Sequence, residues 1–222
     1  MDLMEAMRNR HSVRSYTDRR IEGEPLSELQ AEIDACNRES GLHIQLVTDE
    51  PDTFSGFMAH YGKFRNVKNY VALIGKKGPG LDEALGYYGE RIVLKAQALG
   101  LNTCWVALTF SKGKTRCRIT PGEKLVYVLA LGYGDSQGVP HKTKPMEALS
   151  ESDRELPNWF RSGMEAALLA PTATNQQKFL ISYQNGQVSA KSTGGFYSKV
   201  DLGIVKYHFE TGSGKDHTIW TE

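Results

Sequence analysis

Apolar positions along the chain follow two spacings, one helical and one extended, and these divide it into elements. Leu3, Met4 and Met7 predict a short helix over residues 2–9. Gly23-Glu-Pro25 breaks the chain, after which Leu26, Leu29, Ile33 and Cys36 recur on one face. Ser27 and Gln30 have capping-box spacing, so this helix is expected to start at Ser27, run to about Asn37 and stop near Ser40-Gly41. Residues 42–47 alternate as a strand. Residues 53–66 show no clean period and predict a loop or short helix. The apolar run 70–74 predicts a buried strand. Leu85, Tyr88, Ile92, Ala96 and Leu99 mark the longest helix, closed by Gly100. Residues 103–108 and 124–131 predict strands, the latter the strongest in the sequence, and the basic stretch 111–120 between them is expected to be exposed.

Residues 132–155 have the glycines, prolines and charges of a long connection that contains a boundary, giving units 1–148 and 149–222. Pro157 suits the first turn of a helix whose buried face is Phe160, Met164, Ala167 and Leu168 and whose end is Ala170-Pro171. Strands at 178–183 and 187–190 flank Asn185-Gly186, a hairpin turn. Residues 200–210 predict a helix, and residues 218–220 a last short strand.

The two parts share an order: helix, strand, strand, helix, then a strand start carrying tryptophan. Asp82-Glu-Ala-Leu-Gly86 precedes one long helix and Asp201-Leu-Gly203 opens the other. A tandem duplication is the expectation. The fold class is α+β, with antiparallel-rich sheets packed against helices.

Composition narrows the function. With 27 basic and 26 acidic side chains the net charge is +1, so there is no bulk pull toward nucleic acid. No apolar run reaches the length of a membrane span, and the N-terminus lacks the charged-then-apolar order of a signal peptide. Cys36, Cys104 and Cys117 form no Cys-x-x-Cys pair, which points to a reducing compartment, the cytoplasm.

Most familiar signatures fail. Gly113-Lys114-Thr115 ends like a phosphate-binding loop, but its first glycine would fall at Leu108. Gly132-Tyr-Gly134 follows a strand, yet the next glycine is at 138 and Val139-Pro140 opens no helix. Neither a nucleophile-elbow nor a zinc-helix motif occurs, so no metal site is expected. Three stretches remain. Arg10-His-Ser-Val-Arg-Ser-Tyr16 offers two guanidiniums, an imidazole and a hydroxyl, a donor set suited to phosphate and equally at home on a solvated basic face. Lys142-Thr-Lys144 lies in the connection after the strongest strand, either as ligand-holding cations or as two solvated lysines. Ala170-Pro-Thr-Ala-Thr-Asn-Gln-Gln177 is dense in short polar groups that could meet the edge of a flat heterocycle, or is simply a hydrophilic loop after a helix stop.

Together these stretches resemble the FMN-dependent nitroreductase family. Arg10-His-Ser-Val-Arg14 with Tyr16 is similar to its N-terminal Arg-Arg/His-Ser-x-Arg/Lys-x-Phe/Tyr motif. Ala170 to Gln177 is similar to its Ala-Pro-Ser-x-x-Asn-x-Gln-Pro motif. Residues 82–105 resemble its core helix and following strand. Leu131-Gly-Tyr-Gly134 with Lys142-x-Lys144 resembles its terminal Leu-Gly-Tyr and basic pair. The resemblance implies that Arg10, Ser12 and Arg14, with His11 beside them, hold the FMN phosphate and ribityl chain, completed by Lys142 and Lys144. It implies that Cys104, Trp105, Val106 and Ala107 run along the flavin near N5, with Val106 where some members carry an acid. Pro171, Thr172, Ala173 and Asn175 match residues that contact the flavin from across a subunit interface.

Motif order is the departure. The Pro-Ser-x-x-Asn motif usually follows the N-terminal helices, where Arg38-Glu-Ser-Gly41 stands here. The first half has lost it; the second half has kept it but lacks the Arg-x-Ser-x-Arg run. The expectation is that two halves imitate the family dimer within one chain and build one FMN site, as a monomer acting as a pseudo-dimer or as a homodimer. The implied activity is hydride transfer from NADH or NADPH through FMN to a small electron-poor acceptor such as a nitroaromatic or quinone, with no catalytic side chain. The alternative is a flavin-binding or storage protein without turnover. Acceptor recognition would lie in variable segments such as residues 53–66.

Overall fold

The computed structural model describes residues 1–221. Its helices are α1 (Leu3–Asn9), α2 (Glu24–Ser40), α3 (Phe57–Tyr61), α4 (Leu81–Ala98), α5 (Asn158–Ala167) and α6 (Ser198–Ser213). Its strands are β1 (Gln45–Val47), β2 (Asn69–Lys76), β3 (Asn102–Val106), β4 (Glu123–Gly132), β5 (Ser150–Ser152), β6 (Phe179–Gln184) and β7 (Gln187–Ser192). The chain forms two compact units, the first of residues 9–81 and 92–140, the second of residues 1–8, 82–91 and 141 onward. Helix α4 contributes its N-terminal part to the second unit and its C-terminal part to the first.

The first unit is built on a four-stranded sheet in the order β1-β2-β4-β3, antiparallel throughout. The unbroken apolar runs of β2 and β4 are explained by burial on both faces: Tyr70, Ala72, Ile74, Val128 and Ala130 pack on one side with Phe54, Phe64 and Val106, and Val71, Leu73, Leu129 and Leu131 are buried on the other. Helix α2 begins earlier than capping-box spacing suggests. Pro25 occupies its first turn, where a missing N–H costs nothing, and the Ser27 hydroxyl instead donates to the Glu24 carbonyl at 3.0 Å. It ends at Gly41, whose left-handed backbone donates its N–H to Asn37 at 2.9 Å. The unplaced stretch 53–66 holds a single 3₁₀ turn over Asp52–Phe54 and then α3. Glu50 caps that turn, its buried carboxylate accepting from the N–H groups of Asp52 and Thr53 and from the Thr53 hydroxyl.

The second unit carries a three-stranded sheet, β5-β6-β7, with β5 parallel to β6 and β7 antiparallel. Asn185 and Gly186 both adopt positive φ, 52° and 79°, the geometry a two-residue hairpin requires. Helices α5 and α6 pack through Phe160, Met164 and Phe209; a Cβ at Gly163 would come within 2.8 Å of the Phe209 ring, so glycine is what admits that ring. The N-terminal part of α4 meets α6 with even closer backbone approach. A Cβ at Gly86 would stand 2.1 Å from the Val200 carbonyl, and one at Gly203 would stand 2.0 Å from the Glu83 carbonyl. A polar seam follows: Lys206 pairs with Glu83 at 2.5 Å, Tyr87 donates to Glu210 at 2.6 Å, and buried His208 meets Glu90 at 3.0 Å.

The last expected strand is not one. Residues His217–Ile219 form a 3₁₀ turn because the Asp216 carboxylate accepts from both the N–H and the hydroxyl of Thr218. Only Trp220 is left extended, bridging once to Val188.

Candidate functional site

The expected residues gather in two groups, one in each unit. In the first unit the stretch 10–16 is extended and lies beside β3. Ser12 bridges to Thr103 in parallel fashion, and the Val13 N–H donates to the Thr103 carbonyl at 3.0 Å. Further along, Tyr16 bridges Gly134, and Arg65 donates its N–H to the Arg14 carbonyl at 2.9 Å. The side chains do not alternate strictly as in a regular strand, since the two buried apolar positions, Val13 and Tyr16, lie three apart. Val13 and Tyr16 point into the core, where the Tyr16 hydroxyl donates to the Val13 carbonyl at 2.6 Å, while Ser12 and Arg14 remain exposed.

The segment after β4 braces this stretch. Asn102, almost fully buried, accepts the Gly134 N–H at 3.0 Å and donates to Gln137 at 3.0 Å. Gly138 has φ of 72°, and a Cβ there would stand 2.8 Å from the His11 Cβ. Asn102, Gln137 and Gly138 thus support His11 to Val13 without belonging to any motif; no local signal in the sequence announces them.

Cys104 is brought against the same stretch. Burial pushes its thiol up, while the guanidinium of Arg14, the hydroxyl of Ser12 and the guanidinium of Arg10 oppose that shift. The thiol is therefore neutral and inert at ordinary pH, and its neighbourhood is strongly donor in character. Arg10 is only 4 % exposed, unusual for an arginine. Val106 is buried, whereas Trp105 and Ala107 are half-buried. Two guanidiniums and a hydroxyl at one edge of a sheet, graded from buried to exposed, form a donor set that fits a phosphate.

In the second unit, Lys142 and Lys144 meet the loop 171–177. Asn175 and Gln177 both donate their side-chain amides to the Lys142 carbonyl, at 2.9 and 2.8 Å. Lys144 donates its N–H to Gln177 at 2.8 Å and directs its ammonium at the carbonyls of Gln176 and Gln177, 2.9 and 3.0 Å away. Lys144 thus braces the loop in this conformation. Pro171, Thr172 and Ala173 are half-buried and Asn175 is exposed.

The loop backbone is unusual. Thr174, Asn175 and Gln177 have φ of 51°, 56° and 47°, three left-handed residues, none of them glycine, within four positions. For a β-branched threonine this is a strained conformation that surrounding contacts must hold. The anchors include Asp201, 4 % exposed near the start of α6, which accepts the Ala173 N–H at 2.9 Å and the Gln176 amide at 2.7 Å. Burial raises its carboxyl to about 6. Asp201 was visible in the sequence only as the start of Asp201-Leu-Gly203, the joint matched to Asp82-Glu-Ala-Leu-Gly86. Among the described residues no cluster of histidine, cysteine and carboxylates could hold a metal, and no helix is long and apolar enough to cross a membrane.

Comparison with known proteins gives the arrangement a lineage. The family model described as "Putative TM nitroreductase" matches residues 2–213. A "putative nitroreductase (TM1586)" from Thermotoga maritima MSB8 is similar in structure, with a TM-score of 0.64 and 24 % identity, over 96 % of this chain and 83 % of that one. A "putative nitroreductase in complex with FMN" from Desulfovibrio desulfuricans superposes with a TM-score of 0.52 at 20 % identity, covering 67 % of this chain and 95 % of that one. A "Putative NADH dehydrogenase/NAD(P)H nitroreductase" from Parabacteroides distasonis gives 0.52 and 21 %, over 66 % and 95 %. No curated protein matches the sequence.

Proposed function

The chain belongs to the TM nitroreductase family, and from that premise we propose that it binds one FMN and passes hydride from NADH or NADPH to a small electron-poor acceptor, a nitroaromatic or quinone. The family match across residues 2–213 carries this reading. The donor cluster of Arg10, Ser12 and Arg14 beside β3 supports it, as does the FMN bound by the Desulfovibrio desulfuricans protein of the same fold.

Bound FMN would supply the redox chemistry, so no protein acid or base is required and none is assigned. The chain's own residues have other work. Arg10, Ser12 and Arg14 would take the phosphate, with His11 alongside. Residues 104–107 would lie along the ring; with an apolar Val106 in the position some members fill with an acid, backbone N–H groups would have to meet its N5 edge. The loop bearing Pro171, Thr172, Ala173 and Asn175 would meet the ring and ribityl chain. Lys142 would add charge near the phosphate, while Lys144 would hold the loop. The acceptor would be met by residues of 53–66, where Phe57 and Tyr61 are 81 % and 76 % exposed.

We further propose a duplicated chain that imitates a dimer. Two observations support it. The same sequence offset relates Gly86 to Gly203 and Glu83 to Val200, and Gly86 meets Val200 as Gly203 meets Glu83. Such reciprocity is the mark of an isologous contact. The Desulfovibrio and Parabacteroides proteins are matched almost throughout by about two-thirds of this chain, which leaves a third outside a complete fold. The cytoplasm suits the reducing chemistry and the three cysteines. Anaerobic addition of NADH or NADPH to the FMN-loaded protein tests the activity: bleaching of the flavin band, reversed by a quinone, is expected, and an unbleached spectrum with both donors overturns turnover.

A further inference from the structure

The loop 172–177 holds three residues in left-handed backbone, yet it contains no glycine to make that conformation easy. Something outside the loop must hold it. Asp201 reaches it twice. One carboxylate oxygen accepts the Ala173 N–H at the loop's beginning, and the other accepts the Gln176 amide three residues on, at 2.9 and 2.7 Å. The two contacts span Thr174 and Asn175, so the carboxylate straddles the strained residues.

Gln176 is fixed from a second side. Its amide also donates to the Phe196 carbonyl at 2.8 Å, and its carbonyl oxygen occupies the space where a Cβ on Gly195 would come within 2.2 Å. Both amide hydrogens are therefore directed at acceptors, and turning the amide over would break both bonds. The arrangement calls specifically for a group that accepts on both oxygens. Asparagine at position 201 would keep one acceptor and set its own NH₂ against that of Gln176.

Burying a carboxylate is costly, and here hydrogen bonds from the loop offset only part of that cost. A residue present solely for stability would more readily be neutral. We propose that Asp201 is the positioning residue of the cofactor site, locking loop 172–177 in the backbone conformation that presents Asn175 and its neighbours to the flavin. The proposal rests on the functional reading above. Asp201 acts through the loop and touches neither cofactor nor acceptor.

Asp201→Asn in the full-length chain tests it, with Gln176→Ala as a second variant that removes the other partner. Four quantities are measured at pH 7: FMN affinity by fluorescence quenching, visible circular dichroism of the bound flavin, amide exchange at Ala173 and thermal midpoint. The expected result is FMN affinity at least tenfold weaker, with Ala173 exchange accelerated at least tenfold and a thermal midpoint unchanged or higher. The bound flavin's visible circular dichroism should also change at saturation, which a merely structural role would not produce. Gln176→Ala should shift affinity and exchange in the same direction. Wild-type Ala173 protection in both variants overturns the inference, as does an affinity that falls only in proportion to the thermal midpoint. A wild-type protein that takes up no FMN overturns the functional reading instead, and Ala173 exchange then decides the clamp by itself.

Discussion

Gly86 and Gly203 stand in reciprocal contact: each presses its bare Cα against the backbone one turn upstream of the other, Gly86 on Val200 and Gly203 on Glu83. Two helices far apart in sequence thus meet through equivalent positions. A side chain at either place would collide with a carbonyl oxygen, which cannot swing aside as a side chain could.

Gly203→Ala is therefore expected to destabilise the protein despite alanine's better helix propensity. Propensity favours the change by about 0.5–1 kcal/mol, whereas forced backbone displacement costs roughly 1–3 kcal/mol or more. Urea denaturation should show a net loss of about 1–2 kcal/mol. Gly86→Ala should behave alike, because the contact is the same one seen from the other helix. A neutral result at either position contradicts the packing.

Arg14→Ala should weaken FMN binding by about 10- to 100-fold, the scale of one or two hydrogen bonds to a charged group. Arg14 is exposed, so the fold should survive its loss. Titration at two salt concentrations checks the origin: the variant's salt dependence should be shallower than that of the wild type. Arg10→Ala should weaken binding further and also lower stability, since Arg10 is buried.

Asn175 has two roles that substitutions can separate. Its side chain bridges Lys142 and Gln177, and its backbone sits at positive φ. Asn175→Ala should lose both, and Asn175→Gly should keep the backbone and lose only the bridge. FMN affinity is expected to fall in the order wild type, glycine, alanine. Equal affinity in all three would detach this loop from the cofactor.

Asp201 makes stability depend on pH in an identifiable window. Its carboxyl is raised by burial from the usual 3.8 to about 6, so the folded state holds the proton more tightly than the unfolded chain. Stability from this group is full below about 4 and is lost as pH rises through about 6, a change on the order of 3 kcal/mol. Asp201→Asn should flatten the denaturation profile across that window. Glu123 acts oppositely: His43, 2.9 Å away, and the Thr120 N–H hold its carboxyl down at about 2. Its contribution is present above the ordinary glutamate range and is lost as pH falls toward 2.

The legible part of the fold was the part governed by period. The buried runs of β2 and β4, the face of α4 and the turn at Asn185-Gly186 follow from spacing and residue type alone. Elements decided by one distant contact did not. Strand β5, Ser-Glu-Ser, has no apolar signal and exists because it pairs with β6. Residues 218–220 read as a strand until Asp216 folds them into a turn. At the candidate site the motif residues were legible, but what holds them was not. Asn102, far along the chain from residues 11–13, braces them through the segment after β4, and Asp201 spans the left-handed loop; in both, a generic polar residue acquires its role only from tertiary position.

Cofactor stoichiometry tests the central claim most directly. Apo-protein of known concentration is titrated with FMN while its mass in solution is measured. One FMN per chain, on a monomer, is the result expected of two halves that share one site. Two FMN per chain, or none, would contradict it.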